Sequence, residues 1–235
     1  KAPTPVSAYL HSATMVKAGI YILARFTPIL SGDDVWNYTL MIVGGITMFM
    51  GAVLSVFFID MKSVLAYSTI SALGIIVFLL GIGTQTALYA ACTFILVHAL
   101  YKATLFLITG IVDHAAHTRD LSILKGLGKI MPIVAVAGFI AALSSAGIPL
   151  TFGFLSKELI YGVTTDTIWT QETLILLTTI ALITNVFLTA SGFLAGIRPF
   201  VGKLPKEFQK IKKPSVFLWL SPVLLSTGTL VFGIF

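Results

Sequence analysis

Apolar runs of about 20 residues recur along the whole chain, separated by short stretches rich in polar residues, glycine and proline. They lie near 4–30, 37–59, 62–83, 85–112, 128–163, 170–202 and 214–235. A helix rises about 1.5 Å per residue, so roughly 20 apolar residues are what it needs to cross about 30 Å of hydrocarbon. The pattern therefore predicts an all-α, polytopic membrane protein of about seven crossings. The fifth run is too long for a simple helix and holds SSAGIPLTFG (144–153) near its middle. Gly147 and Pro149 together should interrupt the hydrogen-bond ladder there, so this run predicts one broken helix.

Charge tests the count. If each run crosses once, the loops near 60–62, 113–129 and 203–213 share one side. With Arg198 at the same end they carry ten of the fifteen lysines and arginines: Lys62, Arg119, Lys125, Lys129, Arg198, Lys203, Lys206, Lys210, Lys212 and Lys213. The opposite loops hold Asp33, Asp34, Asp166 and Glu172, with Arg25 near that end of the first run. The positive-inside rule makes the basic loops cytoplasmic. Counting the broken run as two crossings would spoil this separation. Trp36, Trp169 and Trp219 fall near run ends and read as interface anchors.

Composition agrees with the pattern. The 235 residues are 57% hydrophobic and 10% charged, with a mean hydropathy of +1.00, and a water-soluble core could not absorb that much apolar surface. The net charge of +6 then reads as membrane orientation and the bilayer as the solvent, with no case for nucleic acid. Cys92 has no second cysteine, which leaves neither a disulfide nor a cysteine metal site. His114 and His117 flank Asp113 without a supporting ligand cluster, so no metal is expected there, and no cofactor-binding motif occurs. The chain opens on Lys1 and APTPVSAYLH, with no methionine and no signal peptide, and is expected to be an internal piece of a longer protein.

Against this background His11, Lys17, His98, Lys102 and the pair Lys157–Glu158 stand out, because they fall at membrane depth. A charge at the bilayer centre costs roughly 2.5–3.5 kcal/mol on insertion scales, so such residues face a bundle interior or a wet cavity and mark ion pathways. Lys17 sits midway along its run, too deep to reach headgroups. It serves either a pathway or an ion pair with another helix. His98 and Lys102 are four residues apart, which stacks them on one helix face within reach of a hydrogen bond or a bridging water. Histidine exchanges its proton near neutral pH and an amine removed from water deprotonates more readily, so the pair suits a proton relay. Lys157 and Glu158 follow the break, where freed backbone groups can line a hydrated cavity; the alternative is a lysine snorkelling to the interface. His11 lies a turn or two inside the basic end and could simply bond Ser7 or Thr14. On an unbroken helix it stands about 240° from Lys17, so the two cannot share a face. Nothing offers a nucleophile or an acid–base pair for covalent chemistry, so catalysis has no candidate residues.

Four segments taken together, PTPVSAYLHSATMVKAGIYILAR (3–25), DMKSVLAYSTISALG (60–74), HALYKATLFL (98–107) and GIPLTFGFLSKE (147–158), resemble the antiporter-like subunits shared by Mrp-type multisubunit Na+/H+ antiporters and respiratory complex I. The resemblance runs in order over essentially the whole chain. Lys17 within TMVKAG and the run GIVDHAAHTRDL (110–121) are most similar to the A-type branch of the Mrp antiporters.

The resemblance implies a fourteen-helix unit of two inverted five-helix repeats, with residues 1–235 forming part of that one proton-translocating domain from the eighth helix onward. The upstream half, with a glutamate on the fifth helix and a lysine on the seventh, would precede Lys1. His11 matches an eighth-helix histidine beside the proton route, His98 and Lys102 the eleventh-helix relay, and Lys157 the lysine of the broken twelfth helix at the exit. Phe94 stands where some relatives have a second histidine. The function implied is a secondary transporter subunit exchanging cytoplasmic Na+, or alternatively Li+ or K+, for H+. Its partners would be other plasma-membrane subunits, including a second antiporter-like one. A redox-driven pump component of complex I or a membrane hydrogenase is the alternative, and a non-transporting scaffold the second. No oxygen-rich cluster in the sequence resembles a Na+ site.

Overall fold

The computed structural model describes residues 4–12, 14–165, 171–209 and 211–234; Lys1, Asp166, Trp169 and Lys210 lie outside them. The described residues form helices α1 (Thr4–Ser12), α2 (Met15–Leu30), α3 (Asp34–Phe57), α4 (Met61–Ile82), α5 (Gln85–Ala116), α6 (Pro132–Ala146), α7 (Phe152–Thr165), α8 (Gln171–Gly196) and α9 (Val216–Ile234). Beyond an isolated bridge between Asp60 and Asp120 they contain no β-structure. Helix starts follow side-chain chemistry: Asp33, Asp60 and Thr84 each accept a hydrogen bond from a first-turn backbone N–H, which satisfies donors the helix cannot.

Among the described residues six stretches are long and apolar enough to cross a membrane: Val6–Leu30, Asp34–Phe57, Met61–Ile82, Gln85–Ala116, Ile175–Phe200 and Val216–Ile234. Helices α6 and α7, of 15 and 14 residues, are each only about 21–23 Å long at 1.5 Å per residue, too short to span alone. They run in series against α8. Gly138 of α6 meets Gly196, Ser145 meets Gly192, and Tyr161 of α7 hydrogen-bonds Asn185. The fifth run is thus one crossing in two halves, as its pattern predicts. Its break is a Schellman motif: Gly147 takes the left-handed conformation (φ 73°), with Gly147 N donating to Ser144 O and Ile148 N to Leu143 O, both at 3.1 Å. Leu150 also has a positive φ, 72°, an uncommon strain for a branched side chain.

The first run departs from its predicted single helix. Helix α1 stops at Ser12 and α2 starts at Met15, with Thr14 at φ −121°, ψ −83°. The Ser12 hydroxyl turns back onto the Ala8 carbonyl and Thr14 Oγ1 donates to Tyr9 O (3.3 Å), local bonds that compete with the helical ladder. The 240° separation of His11 and Lys17 holds only for an unbroken helix and does not apply. Trp36 and Trp219 do lie at helix ends, but both pack inward against apolar clusters.

Helices α3 and α4 approach backbone to backbone. A β-carbon on Gly44 would meet the Phe78 backbone, one on Gly74 the Met48 backbone, and one on Gly81 the Met41 backbone. Small residues permit such contact where lipid supplies no hydrophobic drive between helices. The Ser71 hydroxyl adds a 2.6 Å hydrogen bond to Met48 O. Two apolar clusters lie toward the ends of the bundle. One joins Ile20, Met41, Leu80 and Leu177 near the acidic loops, the other Met61, Val112, Leu124 and Phe200 near the basic ones. At the basic end Arg119 bridges Asp60 (3.2 Å) and Asp113 (3.7 Å), and hydrogen bonds from Ser122 hold the Asp120 carboxyl below its ordinary range. Large apolar side chains such as Ile29, Phe57 and Phe217 point outward, as expected of a surface solvated by lipid or neighbouring helices. The molecule is a polytopic all-α membrane protein.

Overpacking the α3–α4 contact should be costly, by about 1–3 kcal/mol. Gly74→Leu in the full-length protein is expected to lower its apparent melting temperature in detergent or abolish recovery of folded protein. Gly45→Leu is the control, because only the edge of the Phe78 ring, at 3.9 Å, lies near. Equal melting of the two variants would refute the close approach.

Candidate functional site

Helix α5 is the axis on which the buried ionisable groups gather. His98 and Lys102 sit near the middle of its 32 residues, 0% and 2% exposed. Lys102 Nζ donates to Ser68 Oγ of α4 at 2.7 Å, and that hydroxyl donates onward to Leu65 O at 3.0 Å. No direct hydrogen bond joins His98 to Lys102: among the described residues neither buried ring nitrogen of His98 has a hydrogen-bond partner. Its ring stands edge-on to Tyr101, centroids 5.5 Å apart, and lies 6.1 Å from Phe94. Lys17, buried on α2, reaches across to α5 and donates to Ile95 O at 2.9 Å. This carbonyl lies one helical turn before His98. The non-helical Thr14 precedes Lys17 on α2, and the charges of Lys102 and Lys17 both act on His98.

On another side of α5 a cavity of about 40 Å³ lies between α5, α6, α7 and α8, with Met48 of α3 and Ile75 and Phe78 of α4 closing it. At 10–15 Å³ per water this is room for a few molecules. Tyr101, Ser144, Ser145, Lys157, Thr184 and Asn185 supply its polar lining. Tyr101 and Ser145 lie side by side in this lining, and Asn185 Nδ2 donates to the Tyr161 hydroxyl at 2.7 Å. Lys157 Nζ, Ser144 Oγ, Thr184 Oγ1 and Asn185 Oδ1 are buried with no hydrogen-bond partner among the described residues. Leaving one such group unsatisfied costs roughly 1–3 kcal/mol, and four of them border this one small cavity. Because Lys157 Nζ is buried, this lysine does not snorkel to the interface. Its stem lies over the break, where a β-carbon on Gly147 would collide with it.

The remaining candidates are placed less centrally. His11 stacks on Phe106 of α5, centroids 5.7 Å apart and planes 17° from parallel, and the charge of Lys62 acts on it. Ser7 is buried on α1, and Thr14 bonds the Tyr9 carbonyl. Glu158 is exposed on a face of α7 turned away from the cavity. Gly147 and Pro149 form the break itself. Among the described residues no three His, Cys, Asp or Glu side chains converge as a metal site would require.

The sequence pattern of the family described as "NADH:quinone oxidoreductase/Mrp antiporter, TM" matches residues 1–184, most of the chain. The chain belongs to this family. Among relatives, the A1 subunit of a Na(+)/H(+) antiporter from Staphylococcus aureus is 41% identical over all of this chain and 32% of its own length. The A/B subunit of a probable K(+)/H(+) antiporter from Rhizobium meliloti is 48% identical over 71% of this chain and 17% of its own. Among solved structures, the Mrp complex of Dietzia sp. DQ12-45-1b superimposes with a TM-score of 0.87 and 40% identity, covering 98% of this chain and 25% of that one. An archaeal membrane-bound sulfane sulfur reductase, a respiratory membrane complex, gives 0.73 and 30%, covering 84% and 32%. The chain thus spans a third or less of these relatives' lengths.

Within this family member, sequence reasoning missed Ser68, Tyr101, Ser145, Tyr161, Thr184 and Asn185. Asn185 carried a signal, an amide inside an apolar run, which the search for full charges passed over. Ser68 and Ser145 carried none, since hydroxyls are common in membrane helices and only the packing shows which face an amine. Gly147→Ala is expected to cost about 1–2 kcal/mol for a left-handed alanine and to displace the Lys157 stem. It should lower the melting temperature of the assembled protein and raise the reactivity of Lys157 toward an amine reagent. Unchanged melting and labelling would exclude the packing described.

Proposed function

We propose that the whole protein is one component of a multisubunit antiporter that exchanges cytoplasmic Na+ for H+, with K+ or Li+ as alternative cations. Residues 1–235 contribute part of its proton-translocating domain. The observation that carries this reading is the row of buried polar and ionisable groups around the middle of α5, running from Lys17 through His98 and Lys102 to Tyr101 and the Lys157 cavity. Each amine or imidazole can hold and release a proton, and Ser68, Tyr101, Ser145 and water can carry it between them. Lys157 serves as the outlet at the helix break, and His11 lies beside the route at its basic end. The identity with the A1 antiporter protein over the whole chain, and the likeness to the Mrp complex, support the cation-exchange reading. Protons moving down the membrane potential release about 2.3 kcal/mol per charge per 100 mV, enough to expel Na+ electrogenically. On this reading the protein is a transporter subunit of the cell membrane without an enzyme active site. The loops 113–129 and 203–213 are cytoplasmic, and the partners are other membrane subunits, a second antiporter-like one among them.

A redox-driven pump component is the second reading, favoured by the likeness to the archaeal respiratory complex. Exchange driven in membrane vesicles by an imposed pH gradient, with no electron donor, supports the antiporter; proton movement that requires an electron donor supports the pump.

Lys102→Ala in the full complex is expected to reduce vesicle Na+/H+ exchange at least tenfold while assembly of the complex on a native gel is unchanged. Lys102→Arg should fail likewise, because a guanidinium keeps its charge but does not release its proton. Retained exchange in either variant would remove Lys102 from the relay, and transport intact in Lys102→Met would make this segment a scaffold.

A further inference from the structure

A cleft of about 770 Å³ opens at the basic end of the bundle, away from the relay. The last turn of α5, the 3-10 turn Lys206–Phe208 and the segment leading into α9 enclose it. His114, His117, Lys212 and Lys213 line its rim, against a single carboxylate, Glu207. Among the described residues no ion pair engages Lys212 or Lys213, whereas Arg119 nearby is committed to Asp60 and Asp113. The inner wall is apolar, formed by Ile111, Ile211 and Leu218. Ile111 lies within the apolar length of α5 and Leu218 in the first turn of α9, so the cleft descends from the polar boundary into the hydrocarbon zone. The N-terminal end of α9, 19 residues long, adds its positive dipole at the rim.

Two ammonium groups beside an apolar wall match the charge and shape of a phospholipid, a phosphate above an acyl chain. A zwitterionic headgroup would bring its own ammonium against Lys212 and Lys213. We infer that this cleft binds an anionic phospholipid from the basic-side leaflet, its phosphate between Lys212 and Lys213 and an acyl chain along Ile111 and Leu218. Each basic side chain near an anionic lipid surface contributes enough that losing two weakens binding about 10- to 30-fold.

The test uses the intact complex, purified in detergent, stripped of lipid and titrated with dioleoylphosphatidylglycerol, dioleoylphosphatidylcholine or inorganic phosphate, with bound lipid counted by native mass spectrometry. One phosphatidylglycerol should bind preferentially and be weakened about 10- to 30-fold by Lys212→Gln with Lys213→Gln. Lys125→Gln with Lys203→Gln, which removes the same charge from the same end of the bundle outside the cleft, should leave binding unchanged. Phosphatidylcholine of equal affinity, equal losses in the two double variants, or displacement of the lipid by millimolar inorganic phosphate would each overturn the proposal. So would cross-linking of the cleft to a segment of another protein chain in the assembled complex.

Discussion

An amine carried to mid-bilayer has to be met by oxygen, and the 2.7 Å hydrogen bond from Lys102 to Ser68 is where this chain meets that demand most fully. It ties α5 to α4 at the level of His98 and fixes which faces of the two helices look inward. Lys17 meets the same demand by borrowing a main-chain carbonyl, that of Ile95, which already serves the α5 ladder. Lys157 meets it by lining a cavity with room for water. These three solutions place an amine differently: on a hydroxyl that both donates and accepts, on a carbonyl that only accepts, and beside a cavity with room for a few waters.

The apolar architecture makes such groups tolerable. The clusters toward the two ends of the bundle lie to either side of the polar layer. The breaks serve the same layer. At Thr14 the first run is cut just before Lys17, and at 147–151 the fifth run is cut where the Lys157 stem crosses over Gly147. Each break frees backbone groups that hydrocarbon could not solvate, and each sits beside the buried amine whose placement it allows.

Much of this was legible in advance. Apolar run length marks crossings because the bilayer thickness is a fixed ruler, and every run corresponds to a crossing within a few residues. The Gly147–Pro149 break was legible because those residue types cannot continue a ladder. The break before Lys17 was not, because serine and threonine are ordinary in a membrane helix until their hydroxyls turn onto the Ala8 and Tyr9 carbonyls. The same holds at the site. Lysine and histidine announce themselves by their cost in lipid, while Ser68, Tyr101 and Ser145 announce nothing.

The sequence by itself determined that the chain crosses a membrane, about where, which end is basic, and which charged side chains are out of place. Those properties follow from transfer free energies that each residue carries alone. Only the tertiary structure decided that Lys102 faces Ser68 without bonding His98, that Lys17 reaches α5, and that Lys157 turns inward to a cavity while Glu158 turns out. Those are relations between helices far apart in sequence, set by how glycine, serine and alanine faces pack, and no single residue's preference contains them.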